Sequence, residues 1–256
     1  MKKKFTILGC GSSLGAPWIT NYWGNCDKKN KKNLRTRCCA HFQYKDMSVL
    51  IDTSPDLKNQ FKQSNITNID AVMYTHEHAD QTSGIFELRP FFWKNKKKIN
   101  IYGSKKTIKE LKIKHDYCFK PKQGYIPIAK SHIIKNNFFI KKNNKRIKIN
   151  SFDVQHGLIN ATAYIIDKVA YLSDCSHIPN KSKHLLHNLD YLIIDCLRVK
   201  PHPGHFNLSS AILLSKELNP KKTILTNLHV DLDYEKLKKK LPKNIIPAFD
   251  GLSFSF

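Results

Sequence analysis

Long apolar runs are missing from this chain. Nothing in it approaches the roughly 18 consecutive apolar residues of a membrane helix, so a helical membrane protein is not expected. The start, Met1-Lys2-Lys3-Lys4 followed by Phe5-Thr6-Ile7-Leu8-Gly9-Cys10, imitates a lipoprotein leader. A leader needs about 7–15 apolar residues, and only Phe5 to Leu8 are on offer. The stretch reads better as a first β-strand entering the turn Gly9-Cys10-Gly11-Ser12-Ser13, and the expected location is cytoplasmic, with no membrane partner. Paired cysteines are missing too. The seven cysteines, at 10, 26, 38, 39, 118, 175 and 196, are odd in number and form no CxxC pair. A disulfide framework and a thiolate zinc site are therefore not expected. No Pro/Gly/Ser-rich linker interrupts the 256 residues, which suggests a single domain over 1–256.

Acidic residues are scarce: 20 Asp+Glu face 44 Lys+Arg, for a net charge of +24. A polyanionic partner such as RNA is one reading. Compositional drift is the other and preferred reading. Only five of the 44 are arginine, Lys, Asn and Ile abound throughout, and the lysines are spread along the chain. Either way the surface potential favours anionic substrates, and phosphate esters fit.

Hydrophobic periodicity suggests strands at 4–10, 38–44, 48–52 and 71–75, a helix at 56–64, and one helix over 82–93. A strand at 99–102 and a helix at 105–114 follow. Residues 119–150, with turns such as Lys141-Lys142-Asn143-Asn144, read as β-hairpins. Strands are expected at 147–155, 161–166, 169–173, 191–196 and 223–226, with helices at 180–188, 208–218 and 233–240 and a last strand at the end. Strands first, then helices interleaved with strands in both halves, imply an α/β fold: a four-layer αββα sandwich of two mixed β-sheets with outer helices.

The strongest chemical signal is Thr75-His76-Glu77-His78-Ala79-Asp80-Gln81, delivered by the apolar strand Ala71-Val72-Met73-Tyr74. In a tight loop at a strand end, His76, His78 and Asp80 can converge on one point. Neutral imidazoles and a carboxylate suit Zn, Mn or Fe. His156, Asp174 and His229 also follow strand-like runs, and Asp52 ends one. Taken singly, an Asp at a strand end is commonly a cap or turn former. Their joint occurrence in this order says more.

The order Asp52, then His76/His78/Asp80, then His156, Asp174 and a late His resembles the metallo-β-lactamase superfamily over essentially the whole chain. Within it, the chain is most similar to the branch of phosphoribosyl 1,2-cyclic phosphate phosphodiesterase and RNase Z. Leu8-Gly9-Cys10-Gly11-Ser12-Ser13, Gly84-Ile85-Phe86-Glu87-Leu88-Arg89 and His205-Phe206-Asn207-Leu208-Ser209-Ser210-Ala211 carry that likeness. The resemblance implies the same αββα fold and a metal centre between the sheets, with one or two Zn2+ ions and Mn2+ as the alternative. It implies that His76, His78 and His156 hold one metal, that Asp80 binds a second, that Asp174 bridges them, and that Asp52 orients the loop and a ligand imidazole. His205 matches a histidine that contacts phosphate or protonates the leaving oxygen.

The chain departs from the family at Gln81 and Asn227, both of which replace histidines of the second site. His229, two residues on, is the candidate to supply the missing ligand. Asn25-Cys26-Asp27 keeps one cysteine of a structural zinc cluster, so no structural zinc is expected. Metal-activated water, Asp80 or Asp174 as proton acceptor, His205 as acid and Arg89 as a bidentate phosphate contact describe a phosphodiesterase acting on a small cyclic phosphate ester. RNase Z-like cleavage of tRNA is the second reading, and a homodimer is left open.

Overall fold

Every residue of the strand Met47–Ile51 is buried. Met47, Val49 and Ile51 pack between two sheets, while Leu50 packs outward beneath helices. Strands covered on both faces read as continuous apolar runs, which is why the sequence shows few clean alternations. The same division recurs at Tyr191–Asp195, where Ile193 faces the inter-sheet core and Leu192 and Ile194 face the outer helices.

The computed structural model describes residues 2–256. Its strands are β1 Lys4–Gly9, β2 Cys39–Tyr44, β3 Met47–Ile51, β4 Ala71–Met73, β5 Ile99–Gly103, β6 Ala129–Ile133, β7 Asn137–Lys142, β8 Lys145–His156, β9 Ile159–Ile166, β10 Val169–Leu172, β11 Tyr191–Asp195, β12 Lys222–Thr226, β13 Ile245–Pro247 and β14 Ser253–Ser255. The helices are α1 Leu57–Ser64, α2 Ala79–Thr82, α3 Arg89–Asn95, α4 Lys105–Lys114, α5 Asp116–Phe119, α6 Asn180–Lys183, α7 Leu208–Leu218 and α8 Tyr234–Lys240.

Two seven-stranded mixed sheets form, in the orders β14-β1-β2-β3-β4-β5-β6 and β13-β12-β11-β10-β9-β8-β7. In the first, β14 to β3 run antiparallel and β3 to β6 parallel. In the second, β10 to β13 are parallel and β7 to β10 antiparallel. Phe5, Phe42, Met73, Ile149, Tyr164 and Tyr171 fill the space between them. Helices cover both outer faces: α1 and α4 on the first sheet, α7 and α8 on the second. The fold is the expected αββα sandwich.

Three expectations are corrected. Residues 82–93 do not form one helix. Ala79–Thr82 is followed by a 3-10 run, Ser83–Leu88, and only then by α3. The tighter winding lets Gly84 press against the backbone of residues 53 and 54, where a Cβ would lie 2.1 Å from the Ser54 carbonyl oxygen. The helix expected at 180–188 is a single turn, α6, plus the 3-10 turn His184–Leu186, and it ends before Asn188, whose φ is +58°. Within 119–150, β6 joins the first sheet in parallel with β5, leaving β7 and β8 as the hairpin.

Candidate metal centre

Short parallel strands bring the polar groups to one end of the sandwich. β4, β10, β11 and β12 each finish in an apolar core, and the residues just beyond their carboxyl ends carry the chemistry. Such ends are where open α/β sheets bind ligands. From the first sheet, β4 leads through Tyr74 and Thr75 to His76 and His78. His78 precedes the first turn of α2, which holds Asp80. From the second sheet come His156 at the end of β8, Asp174 after β10, Asp195 at the end of β11 and Asn227 after β12. The loop between β11 and α7 adds His202 and His205, and α7 is closed at its start by a reciprocal Asn207–Ser210 cap.

Three imidazoles converge. One nitrogen each of His76, His78 and His156 lies within 4.8 Å of the others, and His78 Nδ1 is 3.3 Å from His156 Nε2. Two nitrogens about 2.0–2.1 Å from a tetrahedrally bound zinc ion would stand about 3.3–3.4 Å apart. Two of the rings have their other nitrogen tied down. His76 Nδ1 lies 3.0 Å from Thr75 Oγ1, which donates at 2.8 Å to Asp52 Oδ2. That chain makes His76 Nδ1 the donor and leaves Nε2 bare. Nε2 is buried and has no hydrogen-bond partner. His156 Nδ1 donates at 2.7 Å to the Gly204 carbonyl, so its Nε2 is bare as well. Burial lowers the pKa of all three rings, His76 the most, which favours the neutral form that binds metal. An orphaned buried nitrogen, fixed tautomers and ligand-like spacing together fit a divalent cation.

Asp52 sits behind this pocket and is fully buried. Its Oδ1 accepts the Thr75 amide at 2.8 Å. Burial raises its pKa while the two Thr75 bonds lower it. It therefore acts on His76 through Thr75, the route by which a buried carboxylate orients a ligand ring.

Beside the imidazoles lies a carboxylate group. Gln81 Nε2 is 3.2 Å from Asp80 Oδ2 and 3.3 Å from Asp174 Oδ2. Asn227 Nδ2 is 3.4 Å from Asp174 Oδ1 and 3.1 Å from Asp195 Oδ1. Burial, then the neighbouring Asp80 and Asp195, push the Asp174 carboxyl up to about 8. Burial likewise raises Asp195. His205 Nδ1 is 2.7 Å from Asp195 Oδ2 and 3.8 Å from Asp174 Oδ1. Burial lowers the His205 pKa, and Asp174 and Asp80 oppose that. His156, Asp174 and His205 also offer atoms within 4.8 Å of one another. His78, Asp80, His156, Asp174, His205 and Asn227 line a cleft of about 420 Å3 whose wall includes Ser12, Ser13, Arg198 and His202.

Two expected residues fall elsewhere. Asn227 turns the chain at φ +62°, and the Leu228 amide is then held by the Cys10 carbonyl. His229 consequently swings to the cleft's rim, its ring 5.7 Å from that of Trp18 and its Nδ1 3.3 Å from Asp231 Oδ2. It belongs to neither donor cluster. Arg89 is not among the cleft-lining residues. Its guanidinium lies over the rings of Phe86 and Tyr125, at 5.6 and 5.0 Å, and the arginine in the cleft wall is Arg198.

Asp195 and Arg198 do not stand out in the sequence as site residues, whereas His202 could be read there as a lining residue and does line the cleft. Asp195 had a signal: Leu192-Ile193-Ile194-Asp195 repeats the pattern of Val49-Leu50-Ile51-Asp52, an apolar strand stopped by an aspartate. Arg198 lies in an irregular loop and had none.

The sequence pattern described as the Beta-lactamase superfamily domain matches residues 48–227. The crystal structure of a diphosphatase from the PhnP family is 32% identical, covers 100% of this chain and 98% of its own, and superimposes with a TM-score of 0.90. Human tRNase Z, short form, is 17% identical, with 98% of each chain covered and a TM-score of 0.67. A Porphyromonas gingivalis protein named octanoyltransferase is 27% identical over 252 residues, covering 96% of this chain. This chain spans 50% of that curated relative's length.

Proposed function

The chain belongs to the metallo-β-lactamase superfamily, on the branch holding PhnP-family and RNase Z hydrolases, and from that premise we propose that residues 1–256 act as one metal-dependent phosphodiesterase unit on a small, cyclic phosphate ester. His76, His78 and His156 would hold a divalent ion, Zn2+ by their chemistry. Such an ion, when bound, makes hydroxide available at neutral pH and stabilises charge on a phosphoryl oxygen.

The observation that carries the phosphoester reading is His205 in the wall of the same cleft, held from behind by the buried Asp195 at 2.7 Å. Hydrolysis of a sugar or cyclic phosphate releases an alkoxide, which needs a proton. With Nδ1 held by Asp195, His205 keeps its other nitrogen for that proton. The buried carboxylate stabilises the charged ring before transfer. Arg198 lines the same wall and supplies positive charge for an anionic ester, and His202 beside it can donate a hydrogen bond. Asp80 and Asp174 would accept a proton from water. The similar PhnP-family diphosphatase supports a phosphate substrate. None of the seven cysteines lines the cleft, so the cleft offers no thiol for the acyl transfer named in the curated relative.

Purified protein supplied with Zn2+ or Mn2+ should hydrolyse bis(p-nitrophenyl) phosphate and a cyclic ribose phosphate. His205→Asn should slow the cyclic ester by about 10²–10⁴-fold, while the nitrophenyl ester, whose leaving group needs no proton, loses far less. Equal losses on both esters would remove His205 from the acid role. The net charge of +24 favours a second reading, an RNase Z-like nuclease. Cleavage of precursor tRNA at its 3′ end, without turnover of the small esters, would put that reading in place of the first.

A further inference from the structure

The outer face of the first sheet changes character along its strands. Under the helices it is apolar, with Leu8, Cys39 and Leu50 in the packed cluster. Toward the start of β1 it turns polar. Ser253, Thr6 and His41 lie side by side across β14, β1 and β2, and Lys4, Gln43 and Ser48 across β1, β2 and β3. The C-terminal end of α1 and residues 65–68 stand beside these two rows as a wall, and a crevice of about 370 Å3 lies between. A water-facing sheet surface would leave such side chains open. Here Thr6, His41 and Ser48 are only 6%, 5% and 8% exposed, so the floor is recessed and polar at once. Pockets that hold small molecules begin at about 300 Å3.

His41 is the group in this floor with unspent capacity. Ser48 Oγ lies 2.7 Å from the Asn68 carbonyl and 2.7 Å from His41 Nε2. A carbonyl only accepts, so the serine proton goes to Asn68 and His41 Nε2 donates to Ser48. Burial, then Lys4, lowers the His41 pKa to about 4, and the neutral ring carries a lone pair on Nδ1. That nitrogen has no hydrogen-bond partner among the described residues, and it is not one of the sealed polar atoms. What meets it must bring an O–H or an N–H. Lys4 in the same lining repels an ammonium group, and the lining's one carboxylate, Asp46, is taken by Lys142 and Lys145. A hydroxyl fits. Around it stand the hydroxyls of Thr6 and Ser253 and the carboxamides of Gln43, Gln63 and Asn65, groups that both donate and accept. Ile66 is the single apolar side chain of the lining.

We infer that this crevice is a binding site for a small polyhydroxylated molecule of the sugar class, with His41 Nδ1 accepting one of its hydroxyls. A sugar phosphate shares that chemistry, its phosphate meeting Lys4. The crevice is distinct from the metal cleft. The two linings share no residue. Ser48 lies near the start of β3 and Asp52 follows its end, and four residues of strand span about 13 Å.

The test reads binding, not turnover. Purified zinc-loaded protein is titrated with glucose, glucose 6-phosphate and inorganic phosphate while the ring nitrogens of His41 are followed by NMR. His41→Phe identifies the signal by its loss. Either sugar should shift Nδ1 as a hydroxyl donates to it. Gln63→Ala, at an exposed position, and Thr6→Val should each weaken binding by up to about tenfold, the value of one hydrogen bond. Equal affinity for the two sugars marks a neutral sugar as the occupant. Tighter binding of glucose 6-phosphate that Lys4→Ala cancels marks a sugar phosphate. Either result supports the inference. No shift at Nδ1 with either sugar at tens of millimolar would overturn it. So would an equal shift with inorganic phosphate alone, or wild-type affinity in both Gln63→Ala and Thr6→Val. The crevice shares no group with the cleft, so failure here leaves the phosphodiesterase reading standing.

Discussion

At the scale of single residues, His76 has the sharpest expectation. Its Nε2 is the unpartnered lone pair of the three-nitrogen pocket, so His76→Ala should release the tightly held ion and abolish hydrolysis. Metal analysis beside an activity assay checks both, and a mutant that keeps its metal would place the ligand elsewhere. Asp250 gives a pH expectation away from the cleft. Burial raises its carboxyl from 3.8 to about 6, against the bonds from Thr36 and Cys10 that lower it. Between about pH 4 and 6 the native state holds a proton that the unfolded chain has released. This group therefore favours the native state at the acid end, and that advantage disappears as the pH rises past 6. Melting curves of Asp250→Asn should show a weaker stability change than wild type between pH 4 and 6. Parallel profiles would mean that Asp250 titrates normally.

At the scale of elements, the sequence revealed existence better than extent. The loop Thr75-His76-Glu77-His78-Ala79-Asp80 was legible because an apolar strand ran straight into alternating ligands. Asp174 was legible because the Ala170-Tyr171-Leu172 run pointed at it. The broken helix at 82–93 was not legible, because its apolar spacing is the same for an α-helix and for a short 3-10 run followed by one. What decides the winding is a contact distant in sequence, Gly84 against Ser54. His229 failed for a similar reason: a count of two residues along a strand ignores the left-handed turn at Asn227. The Gly84 contact makes its own prediction. Gly84→Ala places a methyl 2.1 Å from a carbonyl oxygen, and overpacking of that kind costs about 1–3 kcal/mol. Because residues 53 and 54 follow directly on Asp52, the same change should weaken metal retention. Denaturant unfolding and metal analysis together test this, and a variant as stable as wild type would show that the loop gives way freely.

At the scale of the whole molecule, the fold class could be read from element order because both sheets place their parallel strands near helices and their antiparallel strands near hairpins. The surface potential follows from composition alone. With 44 basic residues against 20 acidic, capture of an anionic ester should slow as salt rises and the screening length falls below about 10 Å. A kcat/KM unchanged between low and high salt would show that the charge plays no part in capture. The cluster also spans the sandwich: His76 and His78 belong to one sheet, His156 and Asp174 to the other. Whatever these side chains grip therefore rivets one slab of the protein to its opposite. Chelation should then lower the melting temperature by mass action. Amide exchange should quicken first along 75–82 and 202–207, while β1 and β2, paired on both sides within the first sheet, stay shut.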